Sequence, residues 1–289
     1  MSTVAGSHAT AAGPLVYDPY AYGIHEDPYP IYARLRDEAP LYRNDERGFW
    51  ALSRHTDVLA AFRDSDRFSN AEGVSIDPAA SGPHAHRTMS FLAMDPPQHG
   101  RMRGLVSRAF TPRRVAAMED RIRSLTVHHL TTKLLAHAWY WAWANPDERC
   151  KAFGQPARTA DWVEETLRYD TSSQMLARVT KVDVALHGRV VSAGDRVLLL
   201  AGSANRDPRA FADPDRFDLD RDREAGIASF GVGRHFCLGA SLARLEARVV
   251  LEELVARVHD YDIDAAGACR VHSVNVRGFE TLPTTVVPR

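Results

Sequence analysis

The segment Phe230 to Gly239 reads FGVGRHFCLG and sets one thiol, that of Cys237, among glycines just ahead of a helical run. In that run Leu242, Leu245, Val249 and Leu254 recur at helical spacing, with Arg244, Glu246 and Arg248 on the outward face. Free N–H groups and the dipole at a helix start favour a sulfur that carries negative charge. Gly231, Gly233 and Gly239 lack the Cβ atoms that would keep the backbone from bending tightly and passing close to a flat partner. Cys150 and Cys269 are distant in sequence and spell no paired metal spacing. One thiolate presented alone suits a metal that brings its own four equatorial ligands, and that metal is haem iron. Read in isolation, a single cysteine is instead a buried, inert thiol.

Other pairs could do chemistry too. His99 and Arg103, four apart in DPPQHGRMR, share a helix face and taken alone are solvated charge. Glu165 and Arg168, three apart in EETLR, form on the surface an ion pair worth a few tenths of a kcal/mol. His84, His86, His99, His128 and His129 have no acidic or cysteine partners at ligand spacing and read as solvated side chains. The aromatic run HAWYWAWANP, with Trp139, Tyr140 and Trp143, reads as a core helix.

The elements that must position these residues follow from the pattern. DPYPIYARLRDEAP gives a helix opened by prolines, and LYRNDERGFWALSRHT gives a strand, a turn at Asn44 to Gly48, a second strand and a helix from near Thr56. Val74 to Pro97 is a long Gly-, Pro- and Ser-rich loop. Helices then flank a break at Thr111-Pro112, TTKLLAHAWYWAWANP is an apolar helix ending near Asn145, and TADWVEETLRYD is another. RVTKVDVALHGRVVSAGDRVLLL, with turns at His187-Gly188 and Ala193-Gly194, reads as a small antiparallel sheet. The fold class is mainly α with a smaller antiparallel β region, α+β. Residues 1–16 read as a disordered tail and 17–289 as a single domain.

The pattern Phe230-Gly231-x-Gly233-x-His235-x-Cys237-x-Gly239 resembles the cysteine-ligand loop of the haem-thiolate monooxygenases, the cytochromes P-450. EETLR resembles the family's E-x-x-R helix, and DPDRF the segment whose arginine, Arg216 here, completes a buried ion-pair triad. ANRDP and DPPQHGRMR are similar to bacterial members. The resemblance implies haem b as cofactor, with Cys237 as the iron ligand and Phe230 shielding its sulfur. It also implies that His99, Arg103, Arg178 and His235 meet the haem propionates, carboxylates that demand cations or N–H donors in an apolar pocket. Gly239 completes the cofactor-binding set.

The chain departs from the family between the His99–Arg103 helix and the E-x-x-R helix, where only Pro112 to Trp162 lies. A central segment is missing, with the join near Leu130-Thr131. Counting back from Lys133 puts His129 and Leu130 where the family carries an acid–alcohol pair, so the candidate catalytic hydroxyls are Thr131 and Thr132. The expected function is a monooxygenase that takes electrons from a ferredoxin-type donor and oxidises a small apolar substrate. The alternative is a truncated haem-binding protein, non-catalytic or poorly coupled.

Composition bounds both readings. With 36 basic and 37 acidic residues, net charge -1, no overall field draws in nucleic acid or an anionic membrane. Three cysteines, an odd number, argue against a disulfide scaffold, and no leader or membrane-length apolar run is seen. The expected location is the cytoplasm.

Overall fold

The computed structural model describes residues 13–119, 122 and 130–289. Prolines open the first long helix as expected. Asp27-Pro28 separates α1 (Tyr22–Glu26) from α2 (Tyr29–Glu38), and Pro30 sits in the first turn of α2, where its missing N–H costs nothing. Most of the tail assigned to residues 1–16 lies outside the described residues. Its last part, 13–16, is placed against the body: Gly13 O accepts from Arg34 Nη2 (3.0 Å), and Leu15 packs on the core.

Strands β1 (Leu41–Asn44) and β2 (Phe49–Leu52) form the expected hairpin, followed by α3 (His55–Arg63) and β3 (Phe68–Ser69). The long loop after Val74 carries two short 3-10 turns and α4 (His86–Met89). Next come α5 (Gln98–Ser107) and α6 (Pro112–Ala116), divided at Thr111-Pro112 as expected. The aromatic run forms α7 (Leu130–Ala144), and Asn145-Pro146 ends it and starts α8 (Pro146–Gly154). The E-x-x-R segment is α9 (Thr159–Tyr169).

Beyond it lie β4 (Leu176–Thr180), β5 (Val184–Leu186), β6 (Arg189–Val191), β7 (Arg196–Leu199) and α10 (Ala201–Ala204). The β5–β6 turn has both central residues left-handed, His187 at φ 48 and Gly188 at φ 71, the twist a two-residue hairpin needs. The main sheet runs β1-β2-β7-β4-β3. It is not wholly antiparallel as expected: β2 and β7 run parallel, with Trp50 opposite Val197. A parallel neighbour needs a long crossover, which the helices between these strands provide.

Helix α11 (Ala240–Arg257) follows the cysteine loop. The chain ends in two strand pairs without a counterpart in the sequence reading, β8 (Val258–Ile263) with β11 (Thr284–Pro288) and β9 (Cys269–Arg270) with β10 (Phe279–Thr281).

The largest core lies where α7, α9 and α11 meet. Trp162 is fully buried there and donates from Nε1 to Ala138 O (2.9 Å), while Trp139 stacks on Tyr261 at 3.7 Å. Helix α11 buries Ala240, Ala247, Val249, Leu251 and Val255. The face expected to be outward is covered as well: Arg244 pairs with Glu164, and Arg248 with Glu119 and Glu252. A helix enclosed on several sides has no single apolar stripe.

The Glu165–Arg168 pair is not on the surface. Both side chains are buried and meet through two bonds, Nη2–Oε1 (2.7 Å) and Nε–Oε2 (2.9 Å). Arg168 also donates to the carbonyls of Asn205, Pro214 and Arg216, tying α9 to the meander before the cysteine loop. The third member is Arg221, whose Nε lies 3.3 Å from Glu165 Oε1. Arg216, expected in that role, offers only its backbone oxygen, and its side chain is 62% exposed. Breaking a buried pair strands the other charge, so Arg168→Met is expected to cost about 3–5 kcal/mol. Urea unfolding checks this as a lower midpoint at unchanged slope.

A second buried cluster surrounds Asp170, the residue that ends α9. Its carboxylate accepts from Tyr29 Oη (2.8 Å), Trp141 Nε1 (3.0 Å) and Arg277 Nε (2.8 Å), with Arg270 Nη1 at 3.5 Å. Its main-chain oxygen lies 2.6 Å from His137 Nδ1, and Arg270 Nη1 lies 3.1 Å from His137 Nε2. A carbonyl can only accept and a guanidinium can only donate, so Nδ1 carries the proton and the imidazole is neutral. Burial, opposed by Asp170 and reinforced by Arg270, pushes the pKa of His137 down to about 4 from 6.5.

Between pH 6.5 and 4 the unfolded chain therefore binds a proton at this residue that the folded chain refuses. Stability falls as pH falls across that window, by about 3 kcal/mol for this one group. His137→Asn is expected to flatten that part of the stability–pH curve, measured by urea unfolding at successive pH values. A curve of unchanged slope would count against the assignment.

Candidate functional site

The glycine pattern of the cysteine loop is a backbone requirement. Gly231 and Gly233 adopt left-handed φ values of 63 and 76, which side-chain-bearing residues rarely take. A Cβ on Gly233 would also stand 3.1 Å from Phe62 O and Arg63 Cα, so the loop lies directly on the end of α3. A 3-10 turn over Gly233–His235 then brings the chain back, and Cys237 N–H donates to Phe230 O (2.9 Å). Helix α11 begins at Ala240 with Gly239 as its cap, so Cys237 precedes the first helical turn. A Cβ at Gly239 would stand 4.0 Å from Cys237 Sγ, and glycine there leaves the sulfur open on that side.

The thiol is exposed, at the wall of a cavity of about 510 Å³. Phe230, Cys237 and Gly239 line it from the loop, His99 and Arg103 from α5, Arg178 from β4, and His235 from the 3-10 turn. The seven cofactor-binding residues expected from the sequence thus share one cavity. Arg244 lays its guanidinium 4.7 Å over the Phe230 ring, fixing the ring from behind.

Among the described residues several polar groups here lack partners. The His99 and His235 rings lie 3.8 Å apart, and His99 Nε2 and both His235 nitrogens are buried without a hydrogen bond. Burial, and then the neighbouring His99 and Arg178, push the pKa of His235 down to about 3. Burial and then Arg103 lower that of His99. Arg178 is 3% exposed, and burial brings its pKa down to about 10. Among the described residues it has no ion pair and donates only to Ala177 O (2.7 Å). The nearby acid, Asp95, is engaged by Ser69, the Asn70 N–H and Lys181. Unpartnered donors and suppressed cations gathered at one end of an otherwise apolar cavity describe a site for anionic oxygens.

The catalytic candidates fare differently. Thr132 is exposed and does not line the cavity, and the side chain of Thr131 lies outside the described residues, as does His129. Of the described side chains of α7, Leu134 is the one that lines the cavity. Hydroxyls line it elsewhere, from Thr171, Ser172 and Ser173 between α9 and β4. Sequence reasoning passed over these three because they belong to no motif, and only their place directly after the E-x-x-R helix marks them.

The fold itself is that of the haem-thiolate enzymes. The solved structure of cytochrome P450 CYP109Q5 from Chondromyces apiculatus matches with a TM-score of 0.84 and 27% identity, covering 94% of this chain and 98% of that one. A family model described as cytochrome P450 matches residues 159–259. A protein of Mycobacterium tuberculosis that carries the name cytochrome P450 123 is 39% identical, covering 95% of this chain and 98% of its own length. The cytochrome P450 monooxygenase PikC of Streptomyces venezuelae is 27% identical, with 95% of each chain covered. The chain belongs to the cytochrome P450 family, whose members bind haem and are monooxygenases that draw on redox partners. The alignment with the mycobacterial relative spans 393 positions against 289 residues here, so at least 104 of them (393 less 289) have no counterpart in this chain. Among the described residues no helix is long and apolar enough to cross a membrane.

Proposed function

We propose that haem b occupies the 510 Å³ cavity with the Cys237 sulfur as its iron ligand. The carrying observation is the set of orphaned imidazole nitrogens on His99 and His235 beside the unpaired Arg178, in the same cavity as the thiol. Two propionates would satisfy these groups together with Arg103, which fits the residues present to the cofactor. Gly239 leaves one side of the sulfur open, and Phe230 lines the same cavity, where by family resemblance it would shield the sulfur once a metal is bound. Thiolate-held haem supplies the activation of dioxygen. The protein then oxidises a small apolar substrate, with electrons from a ferredoxin-type donor, in the cytoplasm. Residues 17–289 form the one haem-thiolate domain, with the missing segment at 130–131.

A second reading, a poorly coupled haem protein, is favoured by two observations. At least 104 positions of the mycobacterial relative have no counterpart here, and Thr132 is exposed and does not line the cavity, whose described α7 side chain is Leu134. The reduced, carbonmonoxy-treated chain tests the shared core of both readings. A thiolate-type red-shifted band is expected; absence of haem uptake, or a band typical of nitrogen ligation, overturns it.

A further inference from the structure

Leu134, His137 and Trp141 are three and four residues apart on α7 and so share one helix face. The first lines the cavity; the other two are held by Asp170, which lies outside it. Asp170 is completely buried and is reached from α2 by Tyr29, from β9 by Arg270 and from the β9–β10 loop by Arg277. The same loop braces the first turn of α7, since a Cβ on Gly278 would stand 2.7 Å from Lys133 Cγ. Arg206 closes the cluster, its guanidinium 3.6 Å from the centre of the Tyr29 ring on one side and of the Tyr169 ring on the other.

We infer that Asp170 is a positioning residue for the cavity wall: by holding Trp141 with its carboxylate and His137 with its main-chain oxygen, it sets where α7 places Leu134. The geometry demands some such hold. One carboxylate faces the guanidiniums of Arg270 and Arg277, and without its charge they repel each other inside a dry cluster. Helix α7 sits against Arg270 through His137, so that repulsion is relieved by moving the helix. The functional meaning of the displacement rests on the cavity being the cofactor pocket.

The test compares Asp170→Asn with the milder Trp141→Phe, which keeps the ring and removes one N–H donor. In the cofactor-free chain, amide hydrogen exchange at residues 137–141 is expected to rise at least tenfold more than at 247–255 in α11, in both variants or in Trp141→Phe alone if Asp170→Asn does not fold. A rise that is equal in both segments, or no rise, overturns the inference. In the haem-loaded protein the C–O stretching frequency of the carbonmonoxy form is expected to shift, because that vibration senses the wall over the metal. An unshifted frequency beside a displaced α7 also overturns it. Failure of haem uptake refutes the cofactor reading instead, and leaves the exchange result to decide the role of Asp170.

Discussion

Cys237→Ala is expected to abolish the red-shifted carbonmonoxy band completely, while Cys150→Ala and Cys269→Ala leave it at full height. All three thiols are exposed, so access does not distinguish them. Surroundings do. Cys237 lies in a loop whose left-handed glycines turn it onto the cavity, and the same cavity carries the unpartnered nitrogens of His99 and His235. Cys150 lies on α8 and Cys269 in β9, and neither lines that space. Alanine also keeps the loop's backbone bond from residue 237 to Phe230 O, so the fold should survive. Residual haem uptake through the propionate cations is compatible with this outcome, but without thiolate-type absorption. Retention of the band in Cys237→Ala would falsify the ligand assignment.

Turnover of the haem-loaded chain is expected to be poorly coupled, with hydrogen peroxide taking most of the reductant. Product formation should fall by roughly a hundredfold relative to a family member with an intact proton relay, the scale of a positioned proton donor lost. Reduction of dioxygen to a useful oxidant needs protons delivered singly and in order. Leu134, the described α7 side chain at the cavity, carries no exchangeable proton, and Thr132 is turned to solvent. Bulk water entering where at least 104 positions are missing would protonate without discrimination. The measurement is substrate oxidised and peroxide released per reductant consumed, with a ferredoxin system. Direct feeding of peroxide should raise product. Tight coupling in the 289-residue chain would mean that hydroxyls such as Thr131 or Ser172 have taken over the relay.

What could be read from the sequence was what is local. The cysteine loop, the helix-start prolines, the His187-Gly188 turn and the apolar run of α7 each carry their reason within a few residues. The seven cofactor candidates come from three separate stretches, two of them with a signature of their own and the third, at Arg178, expected only from the resemblance, and all seven line one cavity. Arg216 was expected because DPDRF resembles the family segment, and only the folded path shows that it is the guanidinium of Arg221 that turns inward. The parallel register of β2 and β7 pairs residues far apart in the chain, beyond the reach of alternation patterns. Asp170 was invisible for a different reason. A lone aspartate at a helix end spells a cap or a turn, and the Arg270 and Arg277 that make it a hub lie about a hundred residues later.

That last separation has a consequence for the protein as it is made. Arg277 donates to the carbonyls of His25 and Glu26 as well as to Asp170, so it joins the beginning of the described chain to its middle. On the ribosome, everything before residue 277 has already emerged when that guanidinium arrives. Until then Asp170 lacks one of the two guanidiniums that neutralise it, and the cluster that holds α7 is incomplete. A nascent chain halted before Arg277 should thus leave the region around α7 more open to protease than the chain that carries it.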